Sequence, residues 1–282
     1  MSLRNRLVPL LATLALIGCH GTRPSPPPAP APPVKLKIGL ALGGGAAKGF
    51  AHIGVIKMLE ASGMDAFALQ QTAVDLDETK IRDVRLFSGG LVQGQALQDY
   101  VNQQVHQRPI EFLGKPFAAV ATELETGTRA TFVRGDTGQA VRASASVPGV
   151  FEPVAIGGKH YVDGGVVSPV PVDAARQLGA DFVIAVDISN KASGRNPDGM
   201  VNIVGQAIVI MGQRLGEQEL ARADVVIRPH VADIGATAFA QKNAAIVEGE
   251  KAALAAISAI RARLAQRQAA APAAAAAQPP AH

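Results

Sequence analysis

A run of glycines between two apolar segments constrains this fold more than anything else in the chain. Leu36–Leu42 reads as a short strand. Gly43-Gly44-Gly45-Ala46-Ala47-Lys48-Gly49 follows it. Lys48–Glu60 then reads as a helix that is apolar on most sides, with Phe50, Ile53, Val55, Ile56, Met58 and Leu59. A helix of that kind is expected to be buried. A glycine-rich turn between a strand and a buried helix presents backbone N–H groups at a helix start, where the dipole favours negative charge.

Three chemistries use such a turn. A dinucleotide site wants Gly-x-Gly-x-x-Gly and an acidic residue at a strand end about 20 residues on. Here Ala46 stands at the middle glycine counted from Gly44, and Asp65 falls in a helical context. A phosphate-binding P-loop wants Gly-Lys-Ser/Thr, but Lys48 precedes Gly49 and Phe50. The third is an oxyanion hole, in which N–H groups stabilise charge on a tetrahedral intermediate.

A second motif narrows the choice. Asp163-Gly164-Gly165 follows the strand-like Lys159-His160-Tyr161-Val162. An aspartate on such a sharp turn projects its carboxylate and suits the role of general base for a hydroxyl nucleophile.

Strand-like and helix-like segments alternate along the rest of the chain, which predicts α/β layers about a mainly parallel sheet. Helices are expected over Met64–Asp75, Gln95–Val105, Val201–Leu220 and Asn243–Gln268, the last turning Ile246, Leu254, Ile257, Ile260 and Leu264 to the core. Strands are expected at Phe117–Thr122, Arg129–Arg134, Asp181–Asp187 and Asp224–Arg228, and Asp136 is placed to cap a helix through Arg142.

Taken together the motifs resemble the patatin-like phospholipase family. Lys37–Val55 is similar to its first strand, oxyanion loop and first helix, and Ala121–Gly127 to its mid-domain strand and turn. Arg142–Phe151 is similar to the segment leading to the catalytic aspartate, and Tyr161–Val172 to the Asp-Gly-Gly motif and helix entry. The resemblance implies a three-layer fold and lipid acyl-ester hydrolysis by a serine–aspartate dyad, without cofactor or metal. It implies that Asp163 is the base, that the N–H groups of Gly44, Gly45 and Ala46 are oxyanion donors, and that Gly164 and Gly165 shape the motif turn.

One part of the pattern is missing. No Gly-x-Ser-x-Gly occurs in the 282 residues. The serine belongs on a strand-to-helix elbow just after the first helix. Here Leu59-Glu60-Ala61-Ser62-Gly63 runs straight into Met64-Asp65-Ala66-Phe67. An internal deletion of a strand, the elbow and a helix start accounts for this, and the fold is expected to lack one central strand. Four or five buried side chains at roughly 1.5–3 kcal/mol each make a loss on the order of 10 kcal/mol, comparable to the 5–15 kcal/mol of a whole domain. Ser62, Ser88, Ser144 and Ser146 lie outside any elbow context and read as hydrogen-bonded or solvated serines; His52 reads as a packing or capping residue.

The ends add a location. Arg4, Arg6 and the apolar Leu7–Gly18 form a signal of residues 1–18, too short to span a bilayer. It ends in Leu16-Ile17-Gly18-Cys19, which resembles a bacterial lipobox, and Cys19 is the only cysteine. Acylation there implies a lipid-anchored protein of the bacterial envelope, and His20 after the cysteine favours the periplasmic face of the outer membrane. Residues 19–33 form a Pro-rich spacer, 34–268 the domain, and 269–282 an Ala/Pro tail expected to be disordered. The net charge of +4 falls to about +2 without Arg4 and Arg6, too small to indicate nucleic acid. The partner implied is a membrane lipid or acyl ester. The rival readings are a non-catalytic lipid- or partner-binding lipoprotein on the same fold, and a damaged copy without function.

Overall fold

The computed structural model describes residues 35–64, 92–192, 194, 197–235 and 237–276. The signal, Cys19, the spacer and the helix expected beyond Met64 lie outside the described residues, as does Ser88. The elements are β1 (Ile38–Leu42), α1 (Phe50–Ala61), α2 (Gln95–Gln104), β2 (Ala119–Glu123) and β3 (Arg129–Phe132). Then come α3 (Thr137–Ser144), β4 (Val154–Ile156), β5 (Lys159–Asp163), α4 (Val172–Gln177) and β6 (Phe182–Val186). The last are α5 (Met200–Leu220), β7 (Val225–Ile227) and α6 (Lys242–Ala276).

A parallel sheet of order β1-β6-β7 forms one layer, with helices on both faces. Strand β6 is buried along its whole length, and its side chains divide by parity. Phe182, Ile184 and Val186 join Phe50, Val55, Leu59, Ile246 and Ile260 on the α1/α6 side. Val183 and Ala185 join Ala41, Val170, Val172, Ala175 and Leu220 on the other. Such a strand reads as an unbroken apolar run because neither face meets water. Among the described residues β1 has a strand neighbour on one side only.

The remaining strands form a second sheet, β3-β2-β5-β4, that is antiparallel throughout. Beside the parallel sheet that the sequence predicts, this one is antiparallel: β2–β3 and β4–β5 are short hairpins, which antiparallel pairing permits and parallel pairing does not, and β2 pairs β5 across the intervening β3, α3 and β4. Strand β5 lies inside this sheet, between β2 and β4. Asp163, its last residue, pairs with Ala121 of β2, while β4 reaches only as far as Tyr161.

The Asp136 cap is present: its carboxylate accepts the Gln139 N–H at 2.6 Å. Two expectations for α6 are corrected. Leu254 does not face the core but is 60% exposed, while neighbouring Ala253 is fully buried. The inward stripe runs through Ala245, Gly249 and Ala253 because α1 crosses there at close range, and only small residues fit. The helix also continues past Gln268 to Ala276, as alanine's helix propensity favours.

Candidate functional site

Strand β1 delivers the glycine-rich turn. The Gly43 N–H extends the ladder to Val186 O at 3.0 Å, and a Cβ there would come within 3.0 Å of that oxygen. The Gly44 N–H donates to Pro169 O at 3.1 Å. This bond removes Gly44 from the expected oxyanion donors, because its hydrogen is already engaged. Gly45 packs against Ile188, where a Cβ would stand 2.7 Å from Cδ1. Ala46 carries the third position at φ 51, in the left-handed region that glycine occupies at less cost. Among the described residues the N–H groups of Gly45 and Ala46 have no recorded acceptor. They remain the candidate donors.

Two side chains brace this turn. His52, on the first turn of α1, meets Gly43 O through Nε2 at 2.8 Å. A carbonyl only accepts, so Nε2 carries the hydrogen and Nδ1 is a lone pair. Nδ1 is buried and has no partner among the described residues. Burial pushes the imidazole down to about 4, partly offset by the Gly43 bond, so the ring is neutral. Lys48 is buried as well, and its Nζ donates to Asn190 Oδ1. Its burial lowers its pKa.

Strand β5 delivers the acid. The Asp163 N–H donates to Ser146 O at 2.9 Å, and its carbonyl accepts from Thr122 Oγ1 at 2.9 Å. One carboxylate oxygen, Oδ1, accepts the Gly165 N–H at 2.6 Å. The other has no recorded partner among the described residues. Burial raises the carboxyl above the ordinary aspartate value, and the Gly165 bond opposes the rise. A partly desolvated carboxylate with one open oxygen has the character of a proton acceptor. Gly164 is required sterically, since a Cβ would lie 2.2 Å from Val120 O.

The structure brings the two motifs together. The segment after Asp163 runs to Pro169, whose carbonyl takes the Gly44 N–H, and Val170 Cγ2 lies 3.2 Å from where a Gly43 Cβ would stand. Glu219, near the end of α5, holds this segment. It accepts from Ser168 Oγ at 2.5 Å and from the Val170 N–H at 2.8 Å. Its burial raises its pKa, against those two bonds. No sequence signal pointed to Glu219, because its partners lie about fifty residues away.

The serines weighed as substitutes are occupied or remote. Ser146 is fully buried and its hydroxyl donates to Arg142 O at 2.7 Å. Ser62 donates to Met58 O at 2.8 Å, as a helix-end residue does. Ser144 ends α3.

Comparison with known proteins agrees with the resemblance. The patatin-like phospholipase family profile matches residues 61–176. An uncharacterized NTE family protein of Mycobacterium tuberculosis is 31% identical over 191 residues, 59% of this chain and 53% of that protein. A second from the same species is 29% identical over 274 residues, 78% of this chain and 46% of that protein. The mouse patatin-like phospholipase domain-containing protein 7 is 26% identical over 182 residues, 54% of this chain and 14% of that protein. The chain thus spans about half the length, or less, of the curated relatives it matches. The aligned spans also exceed what this chain contributes: 59% of 282 is about 166 residues against 191, a shortfall of about 25. For the mouse protein 54% of 282 is about 152 against 182, a shortfall of about 30, and for the second mycobacterial protein 78% is about 220 against 274.

Proposed function

Because the chain belongs to the patatin-like phospholipase family, we propose that it derives from a serine–aspartate lipid acyl-ester hydrolase whose nucleophile segment has been deleted. The observation that carries this reading is the unanswered oxygen of Asp163. Its other oxygen is fixed by Gly165, its backbone is fixed at both ends, and no serine among the described residues offers it a hydroxyl. The alignment shortfalls, about 25, about 30 and about 54 residues, are each at least the length of one strand, its elbow and the first turns of a helix. The family match opening at Ala61, past the glycine turn, suits a break at that point.

In the intact arrangement each part has a role. The serine hydroxyl gives its proton to Asp163 as its oxygen attacks the ester carbonyl. The Gly45 and Ala46 N–H groups receive the oxyanion. The aspartic acid then protonates the departing alcohol, and water repeats the sequence on the acyl-serine. Without the serine the base and the donors remain and the covalent step does not. The substrate class of the lineage is a phospholipid or related acyl ester, with no cofactor required. The lipobox-like Cys19 supports a lipid-anchored location on the bacterial envelope, with the periplasmic face of the outer membrane favoured.

The test is hydrolysis of p-nitrophenyl butyrate together with labelling by a fluorophosphonate probe. The full chain should show neither above an Asp163→Ala control. Asp163-dependent turnover would show that another hydroxyl serves and that the reading of the gap is wrong.

A second reading, a non-catalytic lipid-binding lipoprotein, is favoured by one feature that the hydrolase lineage leaves unused. Helix α5 exposes a run of apolar side chains.

A further inference from the structure

Helix α5 is placed with its apolar side away from the protein. Its last turns are buried: Glu219 and Leu220 are enclosed, and Gly216 lies 3.8 Å from Pro169. Further back the inward residues are Gly212 and Gln213, the latter accepting the Ala192 N–H at 3.2 Å. The opposite face carries Met200, Ile203, Val204, Ile208 and Met211 at helical spacing, all more than half exposed; Met200 reaches 81% and Ile208 59%. From Gly199 to Gln213 no residue is charged. An exposed apolar strip of this extent marks an interaction surface.

We infer that the Met200–Met211 face of α5 docks into a lipid bilayer surface, and that it brings the Asp163 turn to the membrane. Three observations select lipid. First, the strip has no charge to match a charged macromolecule and forms a simple apolar wedge. Second, it is about 18 Å long at 1.5 Å per residue, short of the roughly 30 Å of a bilayer core. The far end of the same helix is fixed beneath Ser168 and Val170, and no described helix is long and apolar enough to cross a membrane. The strip can therefore lie in the interface plane and cannot span. Third, the chain ahead of the domain ends the signal at Cys19. The residues from there to Lys35 reach about 50 Å when extended at ~3.1 Å each. An acylated Cys19 would hold the strip within reach of lipid permanently. This last point rests on the anchored-lipoprotein reading above. The result is a geometry with a use: Met211 and Glu219 are about 12 Å apart along the helix, and Glu219 clamps the segment that follows Asp163.

The chain contains no tryptophan, so Val204→Trp installs a reporter on the strip alone. The lipidated full chain carrying it is reconstituted with phosphatidylcholine vesicles brominated in the acyl chains. A second version carries Asn202→Trp, exposed on the opposite side of the same helix. The expected result is blue-shifted, quenched emission from position 204 and unquenched emission from position 202. Adding Ile203→Asn and Ile208→Asn should weaken the quenched state about a hundredfold, at about tenfold (1.4 kcal/mol) each, with unchanged far-UV circular dichroism. A chain that floats with vesicles but leaves the reporter at 204 unquenched overturns the docking face and leaves the anchor standing. Flotation that ignores Cys19→Ala, with quenching retained, refutes the anchor and keeps the face. A blue shift without vesicles, accompanied by a doubled mass in light scattering, assigns the strip to a second copy and overturns the proposal.

Discussion

Gly54 of α1 and Gly249 of α6 are the points where the two helices come closest. A Cβ added at Gly54 would stand 2.0 Å from Ile246 O, and one at Gly249 would stand 1.9 Å from Ala51 O. Ordinary contact begins near 3.4 Å, so either alanine forces the helices apart by about 1.4 Å. The obstructing atoms are backbone of the facing helix and cannot rotate aside. Overpacking of this kind costs up to about 3 kcal/mol. Alanine returns about 1 kcal/mol of helix propensity, so Gly54→Ala should destabilise by about 2 kcal/mol net. One separation of the helices relieves both clashes, so the double variant Gly54→Ala/Gly249→Ala should cost well under the additive sum of about 4 kcal/mol. Urea unfolding followed by far-UV circular dichroism measures all three. In a domain of this size the single variant should lower Tm by about 4–8 °C. A neutral or stabilised Gly54→Ala chain would refute the reasoning, since propensity alone predicts that sign. The same variant should also disturb the Gly43 turn, which His52 grips from α1.

The other predictions concern charge, anchoring and repair. The neutral His52 binds fewer protons than in the unfolded chain between 6.5 and about 4, so its contribution is complete above pH 6.5 and falls away as pH drops through that window, by about 3 kcal/mol in all; a His52→Gln chain should lack that slope in unfolding measured across pH 4–7. Asp163 acts with the opposite sign, because its raised pKa favours the folded state below the ordinary 3.8 and the advantage is lost as pH rises; Asp163→Asn should therefore gain stability relative to the native chain at pH 7 and not at pH 3. Cys19→Ala should abolish labelling by a fatty-acid probe and release the protein from membranes, and unchanged labelling would dispose of the anchor. Inserting a strand and a Gly-x-Ser-x-Gly elbow after Gly63, where φ 78 already ends α1, should restore esterase activity and sharpen cooperative unfolding together; a well-folded insert without activity would mean that the missing serine is not the only defect.

Local chemistry was the part that the sequence displayed. The glycine turn, the Asp136 cap and the Asp163 turn are governed by residues within a few positions of each other, and each could be read from its neighbours. What needed coordinates was long-range. The Gly44 N–H is taken by Pro169 O, more than a hundred residues away, so a donor that the family resemblance implied is spent. Glu219 holds the Asp163 segment from a helix in which it reads as one more exposed acid. Hydrophobicity turns Leu254 inward, yet a close helix crossing selects for small size, and the alanine beside it takes the buried place. The antiparallel sheet depends on pairings that no periodicity encodes.

The bond between Gly44 and Pro169, with the Glu219 clamp behind it, makes the glycine turn and the aspartate loop a single rigid piece. None of its connections passes through an elbow. In a hydrolase, affinity for the oxyanion is realised only in the fleeting transition state. If the nucleophile is lost as proposed, the same donors can act on any resting anion that reaches them, and nothing converts it to product. The relevant clock then changes from turnover to dwell time. On that proposal, a site that would release its ligand by cutting it becomes one that lets go only by dissociation.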